Sequence, residues 1–148
     1  MTAATGIRRS GRAYALQLLY ARDGELADVA GANDAAARWA GELELEVEEH
    51  AQQFARELVA AAAQRAAEID ELISAASKNW RIDRMSRVDR NILRLGACEL
   101  LTFRDVPLKV VINEAVELAK RFGTAESSAF VNGVLDRIAN ALGRHPDT

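Results

Sequence analysis

Hydrophobic residues recur at intervals of three and four along most of the chain, which is the spacing of one face of an α-helix. This pattern runs from about Arg8 to Arg22, from Leu43 to Ala76, and from Val88 to Leu100. Alternation with a period of two, which indicates a β-strand, is not sustained anywhere in the sequence. The sequence therefore predicts an all-α protein.

Residues that favour loops or helix ends separate the predicted helices. The region 23–41, rich in Gly, Asp, Asn and Ala, predicts a loop with a short helix around Asp34–Trp39. Glutamates at 42–49 suit the start of the next helix, because the macrodipole favours anions there. That helical pattern continues without a stop signal, so we expect a bend or break in the alanine-rich stretch 60–67.

The C-terminal half contains clearer helix boundaries. Ser86 and Asp89 have the spacing of a capping box, although Asp stands where Glu is usual. Pro107 separates this helix from the next one, and Gly123 is expected to follow the end of that helix. A last helix is predicted from near Ser127 to Leu142, with a glycine after it.

Gly11 and Gly133 fall inside helical patterns, where glycine costs roughly 1 kcal/mol relative to alanine. Gly133 lies in the last predicted helix, and we expect it at a close helix–helix approach. Gly11 lowers the helical propensity of the first helix and would also permit a close backbone approach.

Length and composition favour one cytoplasmic domain. The chain has 148 residues, which is enough to bury a hydrophobic core. A single cysteine excludes an internal disulfide and fits a reducing cytoplasm. No apolar run approaches the roughly 20 residues that span a bilayer, and no apolar segment of a signal peptide follows the N-terminal arginines.

The net charge of −3 conceals an uneven distribution of acidic and basic residues along the chain. The region 1–22 contains arginines and no acid, 42–49 contains glutamates and no base, and 78–94 is rich in Lys and Arg. A globally acidic chain with basic stretches does not fit a nonspecific nucleic-acid coat. It fits a selective binder with a defined basic face.

Catalytic and metal-binding patterns are absent from the sequence. His50 and His145 have no Cys or His neighbours at metal-ligand spacing, and no glycine-rich phosphate loop occurs. Cys98 is interpreted as a core thiol rather than a nucleophile. The sequence therefore predicts no enzyme, no metal and no cofactor.

The N-terminal arginines and one aromatic residue are the main candidates for binding. Arg8 and Arg12 lie one helical turn apart with Arg9 beside them, where cations oppose the helix dipole. Phosphate binding would explain them, and a disordered basic tip is the alternative. Phe130 is either a stacking platform for a base or a core residue.

A second arginine stripe, at positions 87, 90 and 94, is either a solvated face or a partner-facing surface. The spacing alone favours the solvated face.

Four segments resemble the family of the bacterial transcription antitermination factor NusB. They are Arg8-Arg-Ser-Gly-Arg-Ala-Tyr-Ala-Leu-Gln-Leu-Leu-Tyr20, Val88-Asp-Arg-Asn-Ile-Leu-Arg94, Asp105–Gly123 and Phe130-Val-Asn-Gly-Val-Leu-Asp136. The resemblance implies one all-α domain over residues 1–148, with about six to seven helices in two small packed bundles. The sub-bundles would span about 7–77 and 78–143.

The resemblance also implies a function. Members of the family are adaptors without enzymatic activity or cofactor. They bind single-stranded boxA-type RNA in nascent ribosomal RNA transcripts together with NusE, a small-subunit ribosomal protein. Other Nus factors and RNA polymerase would be indirect partners, in the cytoplasm.

Residue by residue, the resemblance assigns RNA binding to five positions and partner binding to two. The RNA-binding positions are Arg8, Arg9, Arg12, Glu126 and Phe130, and the positions facing NusE are Tyr20 and Asp89. The chain departs from the family pattern at Ser10, Gly11 and Ala129, which favours RNA binding assisted by the partner.

Two alternatives remain at the level of sequence. One is a protein-binding helical module without intrinsic RNA specificity, whose basic stripe meets an acidic partner. The other is the RNA-binding half of an RNA methyltransferase, for which 148 residues leave no room for a catalytic domain.

Overall fold

The computed structural model describes residues 3–27, 48–78 and 80–145. In the first of these ranges, side chains are described only for residues 6–23. The predicted short helix at Asp34–Trp39 and the glutamates at 42–47 lie outside these residues.

The described chain is helical, and none of its residues forms a strand. It contains six α-helices and one 3₁₀ turn: α1 Ala3–Ala27, α2 Glu49–Gln64, α3 Ala66–Ser77, the 3₁₀ turn Ile82–Arg84, α4 Arg87–Thr102, α5 Leu108–Phe122 and α6 Ser127–Ala141. The predicted all-α fold is confirmed.

The expected break in the alanine-rich stretch occurs at Arg65, between α2 and α3. This residue leaves the helical conformation, with φ −120° and ψ 27°. Its side chain forms an ion pair with Glu68 at 3.1 Å, in the first turn of α3. One continuous hydrophobic pattern therefore encodes two helices.

The chain packs as two compact units, which divide between Ala60 and Ala61. We call the residues before this point the N-terminal unit and those after it the C-terminal unit. The predicted sub-bundles, with a boundary near residue 77, stay a prediction.

Helix α4 forms the centre of the C-terminal unit. Its middle turns are buried on all sides, including Ile92, Leu95 and Leu100, as expected for a helix surrounded by others. Helices α3, α5 and α6 all pack against α4. The side chain of Leu135 in α6 is fully buried and would meet a Cβ built at Gly96 at 2.7 Å. The close approach between α4 and α6 thus requires glycine at position 96.

The expectation for Gly133 was wrong. A Cβ at this position would meet only the guanidinium of Arg137 at 3.7 Å, which is ordinary contact. At Gly11 the expected close approach is confirmed, because a Cβ there would lie 2.9 Å from the carbonyl oxygen of Ala51 and 2.7 Å from Cδ2 of Phe54. Helix propensity identifies a glycine that is unfavourable in a helix, but it does not indicate which glycine packs against a neighbouring helix.

Arg94, from the stripe at 87, 90 and 94, joins two helices. Its Nε and Nη2 donate to the two carboxylate oxygens of Asp70 in α3, at 3.0 and 3.2 Å. Its Nη1 donates to Oδ1 of the buried Asn91 at 3.1 Å. The sequence favoured a solvated face for this stripe, and at Arg94 that interpretation was wrong.

Candidate nucleic-acid and partner interface

The N-terminal arginines differ in their surroundings. Arg8 and Arg9 are exposed, whereas Arg12 is only 3% exposed. The guanidinium carbons of Arg8 and Arg12 lie 5.8 and 5.5 Å from the ring centre of Phe54 in α2, which is within cation–π range. The glycine at position 11 permits this approach, so α2 supports the arginines of α1.

Tyr20 lies on the same helix, three turns beyond Arg9, and is half-buried. It therefore belongs to the N-terminal unit, together with the three predicted RNA-binding arginines.

The C-terminal unit contains a groove of about 310 Å³. Its lining residues are Trp80, Arg84, Met85, Ser86, Asp89, Glu126 and Phe130. We call it the Trp80–Phe130 groove. It brings together Asp89, Glu126 and Phe130, which are the predicted site residues of this unit.

Two helix starts position these side chains. Ser86 caps α4 by accepting the backbone N–H of Asp89 at 3.0 Å, as the capping-box spacing predicts. At the start of α6, the hydroxyl of the buried Ser127 accepts the N–H of Thr124 at 2.9 Å. Glu126 lies just before α6, and Phe130 follows one turn later.

Asp89, which lines the groove, has one unsatisfied acceptor. Its Oδ1 is buried and has no hydrogen-bond partner among the described residues. A buried acceptor without a donor costs about 1–3 kcal/mol.

Phe130 is half-buried, so its ring is neither fully in the core nor fully exposed. It contacts Trp80 edge to face, with ring centres 6.5 Å apart and planes at 72°. Trp80 is 57% exposed. The sequence interpretation missed Trp80, although a tryptophan inside a basic stretch was the available signal.

The backbone of Trp80 is fixed while its side chain is exposed. Its N–H donates to the carbonyl oxygen of Ser77 at 3.2 Å, and its own carbonyl accepts from the Ser77 hydroxyl at 2.9 Å. Trp80 also lines a second cavity of about 310 Å³. The other lining residues of that cavity are Ser74, Lys78, Arg81, Ile82 and Asp83.

The predicted RNA-binding and partner-binding residues are distributed over both units. The N-terminal unit holds the arginines and Tyr20, and the C-terminal unit holds Asp89, Glu126 and Phe130. Each unit therefore carries at least one residue of each predicted kind.

The described residues hold no group of three or more His, Cys, Asp or Glu side chains placed to bind a metal ion. No helix in this part of the chain has the length and apolar character to cross a membrane. Cys98 is fully buried, and burial raises the pKa of its thiol to about 11. This is the environment of a structural cysteine rather than a nucleophile.

A helical fold with exposed arginines and an aromatic groove is typical of a small adaptor that binds nucleic acid or protein. Comparison with known proteins is more specific. The NusB family model matches residues 9–140, so the chain belongs to the NusB family.

Individual relatives agree with this family. The chain is 54% identical over 140 residues to the transcription antitermination protein NusB of Myxococcus xanthus, covering 94% of this chain and 99% of the relative. T. maritima NusB has a similar structure, with a TM-score of 0.70 at 35% identity over 89% of this chain and 90% of that one.

A third similar structure is a complex of the antitermination factors NusB and NusE with double-stranded RNA. The matched chain has a TM-score of 0.71 and 29% identity, and the match covers 91% of this chain and 97% of that one.

Proposed function

We propose that this chain is a transcription antitermination factor, a non-enzymatic cytoplasmic adaptor that binds single-stranded boxA-type RNA together with NusE. One observation carries the proposal: Asp89, Glu126 and Phe130 converge on one groove in a chain that matches the family over residues 9–140. Other Nus factors and RNA polymerase would be reached through this complex.

The similar proteins support both binding roles. The Myxococcus xanthus relative carries the antitermination name, and the solved complex contains NusE and RNA. The RNA in that complex is double-stranded, whereas we propose a single strand for this chain. A duplex form of the same RNA is therefore a necessary comparison.

For RNA, the exposed Arg8 and Arg9 supply the phosphate contacts. Arg12 is the third proposed RNA contact; it packs beside Phe54, and only 3% of it is exposed. Phe130 offers part of an aromatic face in the Trp80–Phe130 groove, where a base can stack. Glu126 lines the same groove and its exposed carboxylate can accept hydrogen bonds from base amino groups.

For NusE, the contacts are Tyr20 and Asp89. Tyr20 offers apolar area and one hydroxyl, a combination that is common in interfaces. Asp89 is half-buried and lines the Trp80–Phe130 groove, where its carboxylate places a negative charge.

The RNA role is tested by fluorescence anisotropy of a labelled boxA-type RNA across salt concentrations, with and without NusE. Replacing both Arg8 and Arg9 by alanine should weaken binding and flatten the log–log salt dependence by about 0.7 for each phosphate that is no longer bound. The control replaces the exposed Arg56 and Arg104, which changes the net charge equally. Wild-type affinity and slope in the Arg8/Arg9 variant would remove these arginines from the RNA site.

Two further RNAs test specificity in the same assay. A scrambled single strand and a boxA duplex should both bind more weakly than the single-stranded boxA-type RNA. Equal binding of all three, or no salt-dependent RNA binding at all, would favour the protein-binding module instead.

The partner role is tested by calorimetry with NusE. Asp89→Asn and Tyr20→Ala should each weaken the complex while the circular dichroism spectrum stays unchanged. Asp136→Asn, at an exposed position of α6, serves as the control for loss of a carboxylate. Unchanged affinity in both test variants would contradict the assignment.

A further inference from the structure

The second cavity beside Trp80 combines an aromatic ring with cationic side chains. Lys78 and Arg81 line this cavity, and Arg84 lines the neighbouring Trp80–Phe130 groove. Neither the predicted RNA contacts nor the predicted NusE contacts include any of these residues.

Trp80 is built as a fixed, exposed platform. Its side chain is 57% exposed, while both backbone polar groups bond to the buried Ser77. The ring itself contacts Phe130 edge to face, which restricts its rotation, so it loses less conformational entropy when a flat ligand stacks on it. An indole face is a suitable surface for any nucleobase, because every base has a π-face.

The nearby charges suit a phosphodiester. Arg81 forms an ion pair with Asp83 at 3.2 Å, and both side chains are largely exposed, at 77% and 62%. An exposed pair of this kind contributes little stability, so a phosphate can replace the carboxylate at small cost. Lys78 adds a second cation to the same cavity.

We propose that this cavity is a further RNA subsite, in which one nucleobase stacks on Trp80 and an adjoining phosphate binds Lys78 and Arg81. The inference rests on the proposed RNA-binding function and extends it to a strand that continues past the Trp80–Phe130 groove. A purely acidic peptide would need the cations but not an exposed aromatic face, so RNA fits the observed combination better.

The stacking contact is tested with Trp80→Leu and Trp80→Phe in the complete chain, bound to single-stranded boxA-type RNA with NusE present. The leucine variant should bind about 5- to 150-fold more weakly, the range expected for losing one stacked base. The phenylalanine variant, which keeps a π-face, should recover most of the affinity. Equal affinity of the leucine variant and wild type overturns the inference.

Tryptophan fluorescence tests the stacking of a base on Trp80 without a substitution at this residue. The chain has two tryptophans, so the Trp39→Phe variant leaves Trp80 as the only one. Saturation with RNA should quench its fluorescence. Unchanged emission at saturation overturns the inference.

The phosphate contact is tested with a double change of Lys78 and Arg81 to alanine. The log–log salt slope should fall by about 0.7 for each phosphate that the variant no longer binds. The matched control is the double change of Lys109 and Lys120, which also removes two exposed cations, one of them ion-paired at 3.6 Å with Glu117. Equal slopes in the test and control variants overturn the phosphate assignment.

The outcomes separate this inference from the proposed function. If the Arg8/Arg9 variant loses RNA binding while all Trp80, Lys78 and Arg81 variants keep it, the subsite is wrong and the proposed function stands. If the Trp80 variants lose NusE affinity but not RNA affinity, the cavity binds protein and the inference is overturned. If the wild-type chain binds no RNA even with NusE, both fail.

Discussion

Two glycines inside helices have opposite surroundings and should respond oppositely to alanine. At Gly133 a Cβ would make only ordinary contact, 3.7 Å from the Arg137 guanidinium. Gly133→Ala should therefore stabilise the protein by about 0.5–1 kcal/mol, because alanine favours the helix. Urea unfolding measures this change, and a clear destabilisation would show that a neighbouring group crowds the site.

Gly96 is the matched comparison. A Cβ there would lie 2.7 Å from Cδ1 of Leu135, whose side chain is fully buried and cannot move into solvent. Gly96→Ala should overpack the contact between α4 and α6 and destabilise the fold by about 1–3 kcal/mol. A gain in stability at Gly96 would contradict the close packing of these helices.

Cys98 should be inert in the folded protein. Its thiol is fully buried, and burial raises its pKa to about 11 from an ordinary value of 9.0. A thiol reagent at about pH 8 should label it only after unfolding in urea, because the reactive species is the thiolate. Rapid labelling of the native chain would contradict this.

The same shift predicts a dependence of stability on pH. The unfolded chain loses the thiol proton above about pH 9, while the folded chain retains it until about pH 11. The unfolded state then binds fewer protons than the folded state, so stability should fall as pH rises through this window. In a Cys98→Ala variant this part of the pH dependence should disappear.

At the scale of whole elements, the sequence predicted the boundaries of the later helices well, but the prediction for the first helix was wrong: α1 runs from Ala3 to Ala27, beyond the expected Arg8–Arg22 and into the expected loop. The capping serine at 86, the glycine after α5 and the break in the alanine-rich stretch all follow from local chemistry. The sequence did not indicate, however, why glycine is required at position 123. Its backbone is extended, and a Cβ would lie 2.5 Å from Oγ of Ser127, so space rather than a left-handed conformation requires glycine.

Contacts between elements were much less visible in the sequence. Trp80 meets Phe130 from fifty positions away, and Arg94 meets Asp70 from another helix. Periodicity gives the face on which a residue lies, but the partner on the facing element depends on the packing of several helices. The groove was therefore not predicted as a groove, although three of its lining residues were named as site residues.

Arg144 is another residue whose contacts with other elements the sequence did not indicate. This residue follows the last helix and is 4% exposed, and its guanidinium donates to the carbonyl oxygens of Leu100 in α4 and of Val106, at 3.3 and 2.7 Å. Arg144→Met should destabilise the fold by about 1–3 kcal/mol, because these buried acceptors lose their donor. Thermal and urea unfolding would measure the loss.

Arg104→Ala is the control, because the side chain of Arg104 is exposed and only its backbone carbonyl accepts from Arg144, at 3.4 Å. It should change stability by less than about 0.5 kcal/mol. Equal losses in the two variants would show that Arg144 acts through its charge alone.

At the scale of the whole molecule, the proposed phosphate contacts and the proposed stacking contact of Phe130 lie in different units. Arg8 and Arg9 belong to the N-terminal unit, and the Trp80–Phe130 groove, which Arg84 also lines, belongs to the C-terminal unit. With a net charge of −3, long-range attraction to RNA is weak, so affinity must come from local contacts of both kinds.

This separation predicts two distinct mutant phenotypes. Arg9→Ala should reduce the salt slope of RNA binding by about 0.7, since it removes one phosphate contact. Phe130→Ala should leave the slope unchanged and weaken binding by about 1–3 kcal/mol at every salt concentration, since stacking is not screened. Titrations at four or more salt concentrations distinguish them, and a changed slope in Phe130→Ala would contradict a stacking role.

The tight packing around Gly11 also limits how this sequence can evolve. A Cβ at position 11 would meet the ring of Phe54 at 2.7 Å and the backbone carbonyl oxygen of Ala51 at 2.9 Å, so position 11 cannot vary independently of its neighbours. A smaller residue at position 54 relieves only the first of these contacts, and it removes the ring beside Arg8 and Arg12. A double-mutant cycle of Gly11→Ala and Phe54→Leu should therefore show favourable coupling in stability. Replacement of this glycine therefore requires both a backbone shift at Ala51 and the loss of the ring that supports two arginines, so several changes must occur together.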